Sequence, residues 1–254
     1  CLILCFCSVT SSAQTEHPHS KILGALVYTD LSIAAEGDEA TSVMNELRKE
    51  LGVLMQVYWE TSHYEGINKT TPIYLTLEKK PAIVVLERIM EQLSEDDDIA
   101  WQIRDGVLEV GLKSRFSKRT SLKLIQYPIN DLLFTIRDFD DAPEMGTGGS
   151  GGGPNIGFGS GGNNKNREPK QNQIDKIIQL IVKFVEPDQW EQNGGDCTIE
   201  SFRETLLINA PDYMHRQIGG YPYEPTKPKG LGTRRVNYNK GKTTVQILPS
   251  KTSS

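Results

Sequence analysis

Residues 75–93, LTLEKKPAIVVLERIMEQL, followed by residues 99–110, IAWQIRDGVLEV, decide how this chain folds. Ile73, Leu75 and Leu77 alternate with Tyr74 and Thr76, the period of a half-buried strand. Pro81 stands where a helix begins, and Ile83, Leu86, Met90 and Leu93 form one apolar face at helical spacing. Ile99, Trp101 and Ile103 then alternate up to Asp105-Gly106, a dipeptide suited to a type I′ turn, and Val107 to Leu112 returns as the second arm of a hairpin. A strand, a helix and a hairpin in one run predict an α+β unit.

Upstream, Val43, Leu47 and Leu51 repeat every four positions from Asp38 to Leu51, with Met44 widening the stripe, and Gly52 permits the left-handed cap that ends a helix. Val53 to Glu60 is rich in β-formers and reads as a strand, as does Ala25 to Ala34 before the helix. The first unit spans 21–113 in the order strand, helix, strand, strand, helix, hairpin.

A second unit opens with the strand Leu122 to Ile129. Residues 145–166 then collapse in composition to MGTGGSGGGPNIGFGSGGNNKN, with too few apolar side chains to offset the entropy of ordering them, so a flexible insert is expected. Ile174, Ile177, Ile178, Ile181 and Val185 resume at helical spacing before Pro187. Thr198 to Phe202 and Thr205 to Asn209 pair around Arg203-Glu204, and Pro211 to Ile218 reads as a short helix closed by Gly219-Gly220. The expectation is two small α/β-sandwich modules, the second of βαββα order over 120–220.

Charge divides the chain unevenly. Residues 221–254 hold seven Lys or Arg against Glu224, a net +6 that leaves −11 for the rest of a chain of net charge −5. Proline and glycine punctuate this basic segment, so it is expected to be disordered, and its cations, Arg234 and Arg235 among them, are candidate contacts for an anionic partner. At the other end, residues 1–13, CLILCFCSVTSSA, read as the apolar stretch and cleavage site of a secretory signal whose charged start is missing. That stretch is short of the roughly 20 residues a membrane span needs, and no later one is longer. Its removal would leave Cys197 as the one cysteine, without an internal disulfide partner, and the natural reading is a half-buried strand cysteine.

Few residues have the pattern of chemistry. Gly146, Gly148 and Gly151 spell a dinucleotide-binding pattern and Gly148 to Gly152 a nucleophile-elbow pattern, but neither follows a strand into a helix as those loops require. His17, His19, His63 and His215 are scattered, leaving only a weak chance metal site at His17-Pro18-His19 in a start read as disordered. The acid runs at 95–98 and 138–141 lack EF-hand spacing and read as solvated loop charge. The reading is of no catalytic, cofactor or metal residues.

The first unit, carried by LTLEKKPAIVVLERIMEQL and IAWQIRDGVLEV, resembles the short N-terminal domain shared by secretins and TonB-dependent transporters. The second carries YPINDLL at 127–133 and IIQLIVKFVEPDQWEQNGGDCTIESFRETLLINAPDYMHRQI at 177–218, and it resembles the N1-type secretin module. The pair is similar to exported planctomycete-type proteins of unassigned function. Residues after Ile218 do not match the β-rich pore region of secretins, so pore formation is not implied. The resemblance implies a non-enzymatic interaction or scaffold module of a Gram-negative-type periplasm or cell envelope, binding envelope proteins or further copies of itself. Pro187, Trp190, Gly194 and Gly195 match the family pattern as loop-shaping residues, and Trp190 is also a candidate partner hot spot. The alternatives are a hydrolase using dispersed acids or Cys197, and an anionic-polymer binder acting through the basic tail.

One outcome follows from the insert alone. Loop-closure entropy varies slowly with length, so replacing most of Met145 to Asn166 with a short Gly/Ser linker is expected to leave the melting temperature nearly unchanged. A large fall in a thermal melt would show that the insert packs.

Overall fold

The computed structural model describes residues 18–94, 98–133, 170–239 and 242–247. The expected signal at 1–13, His17 and the glycine-rich insert at 145–166 lie outside them. Among the described residues the protein is α+β, with small, open sheets.

The first module contains α1 (Pro18–Tyr28), β1 (Asp30–Glu39), α2 (Ala40–Leu51), β2 (Met55–Val57), β3 (Pro72–Pro81), α3 (Ala82–Leu93), β4 (Ile99–Arg104) and β5 (Val107–Leu112). β1 and β3 pair antiparallel, while β5 lies between a parallel β2 and an antiparallel β4. Leu26, Val43, Leu47, Ile83, Leu86 and Ile89 from the helices share one core with Ile73, Trp101, Leu108 and Val110 from the two sheets. Each such side chain, fully buried, contributes about 1.5–3 kcal/mol. Local rules set the corners. Gly52 ends α2 at φ 59°, and Asp105 (φ 52°) and Gly106 (φ 77°) form the left-handed pair that a type I′ hairpin turn requires.

The second module contains α4 (Lys113–Phe116), β6 (Lys123–Pro128), α5 (Lys170–Phe184), β7 (Thr198–Phe202), β8 (Thr205–Ala210) and α6 (Asp212–Gly219). Its antiparallel sheet has the order β6-β8-β7. Alternation along β8 buries Leu206, Ile208 and Ala210 in a core shared with Trp190, Tyr213 and Met214. Phe116 and Ala100 join this core, so it begins earlier than residue 120 and includes one face of β4.

Two expectations are corrected. Ala25 to Tyr28 belongs to a helix rather than a strand. Ile22, Leu23, Leu26 and Val27 point one helical face into the core, and Gly24 lets a returning chain lie against that helix. A Cβ on Gly24 would stand 2.4 Å from the carbonyl oxygen of Thr226. His19, read as part of a disordered start, is on this helix with its ring 5.4 Å from that of Tyr223.

The basic tail is the second correction. It folds back on the first module as β9 (Arg234–Asn239) and β10 (Lys242–Ile247), an antiparallel hairpin. The amide of Thr226 donates to the carbonyl of Ser20 at 2.9 Å. Arg234 donates to both carboxylate oxygens of Asp30 at 2.9 and 2.8 Å and to the carbonyl of Val27 at 2.7 Å. Val236 and Val245 pack against the first core. A net positive composition disfavours a core of the tail's own, but the tail borrows one.

Deleting Pro228 to Ser254 is therefore expected to lower stability by about 2 kcal/mol, chiefly through the lost valine contacts, since Asp30 is 43% exposed and its ion pair is screened. Calorimetry checks this: an unchanged transition would return the tail to the disordered reading.

Candidate functional site

The two modules meet along β4, α4 and α6. Tyr58, Phe116 and Tyr213 form an aromatic row across the junction, with ring centroids 6.1 and 6.2 Å apart. Lys113 pairs with Glu186 at 2.9 Å, and Gln217 donates to the same carboxylate. Arg216 of α6 reaches furthest. Its guanidinium donates to the carbonyl of Trp101 at 2.7 Å, lies 3.6 Å from the centroid of the Trp101 ring, and donates to the hydroxyl of Tyr221 at 3.3 Å. Tyr221 in turn stacks on Tyr223 at 4.9 Å.

Beside this junction lies a cleft of about 750 Å³. On one wall Gln102 of β4 is 1% exposed, and its Nε2 donates to Glu109 at 2.8 Å. Glu109 also accepts from Tyr58 at 2.8 Å and Arg104 at 2.9 Å, so this buried carboxylate is held by three donors. Burial, together with the bond to Glu109, raises the Tyr58 pKa.

The other wall carries Tyr127 of β6 and His215 of α6. Nε2 of His215 is 2.7 Å from the carbonyl of Lys123, an acceptor only, so Nε2 bears the proton. Nδ1 then accepts from the Tyr127 hydroxyl at 2.9 Å. Burial pushes the His215 pKa down, against the raising effects of the Lys123 carbonyl and the Asp212 charge. Burial also pushes the Tyr127 phenol up to about 12. His215 is thus held through both ring nitrogens, with the Tyr127 hydroxyl on one side and the Lys123 carbonyl on the other. Gly219 is required here, since a Cβ would sit 2.9 Å from the Tyr127 ring.

The residues singled out in the sequence do not gather at this cleft. Trp190 is fully buried and donates from Nε1 to the carbonyl of Val185 at 2.6 Å, so it shapes its loop and cannot meet a partner. Gly195 turns that loop where a Cβ would strike the Gln189 backbone at 2.1 Å. Arg234 is likewise occupied, its side chain 8% exposed, whereas Arg235 is exposed. Cys197 is buried rather than half-buried, 3.7 Å from the sulfur of Met214, and desolvation with the Asp196 charge pushes its thiol up to about 12. A thiol in that state is protonated at neutral pH. Among the described residues, no three His, Cys, Asp or Glu side chains gather as a metal site would.

Among the described residues, a second surface is unused by the core. Leu124, Leu207 and Phe202 lie on the face of the β6-β8-β7 sheet opposite its buried side chains, with Leu124 and Phe202 each 61% exposed. β6 and β7 are the sheet's edges. Sequence reading missed both the cleft and this face. The sole signal for the cleft was the pair of tyrosines, Tyr221 and Tyr223, just after the glycines that close α6. The chain matches no family model, no curated protein and no solved structure.

His215 gives a pH signature. Its folded pKa lies below its ordinary 6.5, so protons bind the unfolded chain first, and its contribution to stability is complete above about 6.5 and declines as pH falls toward the folded value. Melting temperatures recorded against pH are expected to fall more steeply below about 6.5 in the parent than in His215→Gln. Parallel curves would contradict a buried neutral imidazole.

Proposed function

We propose that this chain is a non-enzymatic protein-protein interaction or scaffold module of the cell envelope, related to the periplasmic domains of secretins. The observation that carries the reading is the open face and edges of the β6-β8-β7 sheet, where Leu124 and Phe202 stand exposed without a role in the core. Strand edges of this kind pair with an extended segment of another chain, with side-chain specificity supplied by the neighbouring face. The partner is an envelope protein or another copy of the chain.

Three positive observations support a binding role over hydrolysis. Cys197 is buried with a raised pKa, His215 is bonded through both ring nitrogens, and Glu109 is saturated by three donors. The order of the elements supports the family reading. The first module has strand, helix, strand, strand, helix and hairpin after its leading helix, and the second is βαββα. No helix among the described residues is long and apolar enough to cross a membrane. Export to the envelope rests on the reading of residues 1–13.

The test uses the full chain with Leu124→Asp and Phe202→Asp combined. Both side chains are exposed, so the melting temperature is expected to stay within about 0.5 kcal/mol equivalent of the parent. Light scattering for self-association and photo-crosslinking from position 200, on the same face and outside the cleft, in envelope extract should both give complexes for the parent and none for the variant. Complexes that survive the double substitution would place docking elsewhere.

A further inference from the structure

We propose that the cleft between the modules is a binding site for a neutral, hydroxyl-rich ligand of the size of a mono- or disaccharide. Two atoms carry this. Gln102 commits its Nε2 to Glu109, which fixes the orientation of the amide and leaves Oε1, on a side chain 1% exposed that lines the cleft, as an acceptor without a partner among the described residues. From the second module, Asp212 lines the same cleft, and its Oδ2 is also buried with no partner among the described residues. Leaving a buried acceptor without a donor costs about 1–3 kcal/mol, so folded chains keep few of them. Two in one cleft, one from each module, mark where donors come from outside the chain.

Charge and shape select the ligand class. An anion such as phosphate brings at most one or two hydroxyl donors near neutral pH, and its charge is repelled by the Asp212 carboxylate that holds one of the two acceptors. A cation would meet walls on which Arg104, Lys123 and Arg216 outnumber Asp105 and Asp212. Neutral hydroxyls donate to both orphan acceptors and accept from the surrounding cations. The stacked rings of Tyr221 and Tyr223 line the same cleft and supply an apolar surface for the C–H face of a sugar ring. A volume of about 750 Å³ suits a ligand of that size. Sugar hydroxyls can meet both acceptors with the donor geometry that a bridging water would use.

Leu124 and Phe202, which carry the docking reading, do not line this cleft, although β6 borders both surfaces, so the Leu124→Asp/Phe202→Asp variant is expected to keep its sugar binding. The full chain is titrated calorimetrically with glucose, N-acetylglucosamine, cellobiose, chitobiose and maltose to tens of millimolar, and with inorganic phosphate and putrescine as the charged counterparts. Saturable binding of at least one sugar, and of neither charged probe, is expected. Asp212→Ala and Gln102→Leu are each expected to weaken it about tenfold, the loss of one hydrogen bond. Circular dichroism and thermal melts accompany both variants. Should Gln102→Leu fail to fold once its bond to Glu109 is gone, Asp212→Ala, on the more exposed residue, decides alone. Absence of saturable sugar binding, preference for phosphate or putrescine, or unchanged affinity in Asp212→Ala would overturn the proposal.

Discussion

The guanidinium of Arg216 lies between the backbone and ring of Trp101 on one side and Tyr221 on the other, so one cation holds three parts of the chain together. Arg216 projects from the last helix of the second module, Trp101 belongs to the central hairpin of the first, and Tyr221 starts the segment that returns to the first module. A planar cation over an indole, with a charge-assisted bond to the carbonyl of the same residue, is strong where water is excluded, and Arg216 is 7% exposed. The return segment then runs along α1, where Gly24 makes room, and ends in the hairpin anchored by Arg234 on Asp30. Two modules and a strap thus form one packed body.

This arrangement determines which side chains are available. Groups that titrate or attack in other proteins are here consumed by packing: Tyr213 is fully buried with its pKa raised by desolvation, Tyr127 and His215 hold one another, and Cys197 faces a methionine sulfur. Desolvation drives each toward its neutral form. Among the described residues, what is left open is a cleft with two unpartnered acceptors, and a sheet whose outer face sets Leu124, Leu207 and Phe202 among polar residues such as Gln126 and Glu200. The proposed roles rest on these two features, a small polar ligand in the cleft and another chain on the sheet.

Much of the fold was legible because local rules set it. Asp105-Gly106 could only turn a hairpin tightly, Gly52 could only cap a helix, and the alternation through Ile73, Leu75 and Leu77 named its own strand. The failures share one cause. Val27 and Tyr28 are β-formers, but their helix buries one face in the first core, and its end is met by Arg234 of the returning chain about two hundred residues later. The tail's cations and prolines average to disorder, yet three side chains, Arg234, Val236 and Val245, suffice to anchor it. Arg216 and Trp101 are separated by 115 residues, so no window of sequence contains their contact. The candidate site was illegible for the same reason, since its walls come from both modules and from the return segment.

Differential scanning calorimetry of the full chain tests the single-body account most directly. A body held through Arg216 unfolds in one cooperative transition whose calorimetric and van't Hoff enthalpies agree, and Arg216→Ala separates that transition into two. Two resolved transitions in the parent protein, or a single transition indifferent to the loss of Arg216, would contradict it.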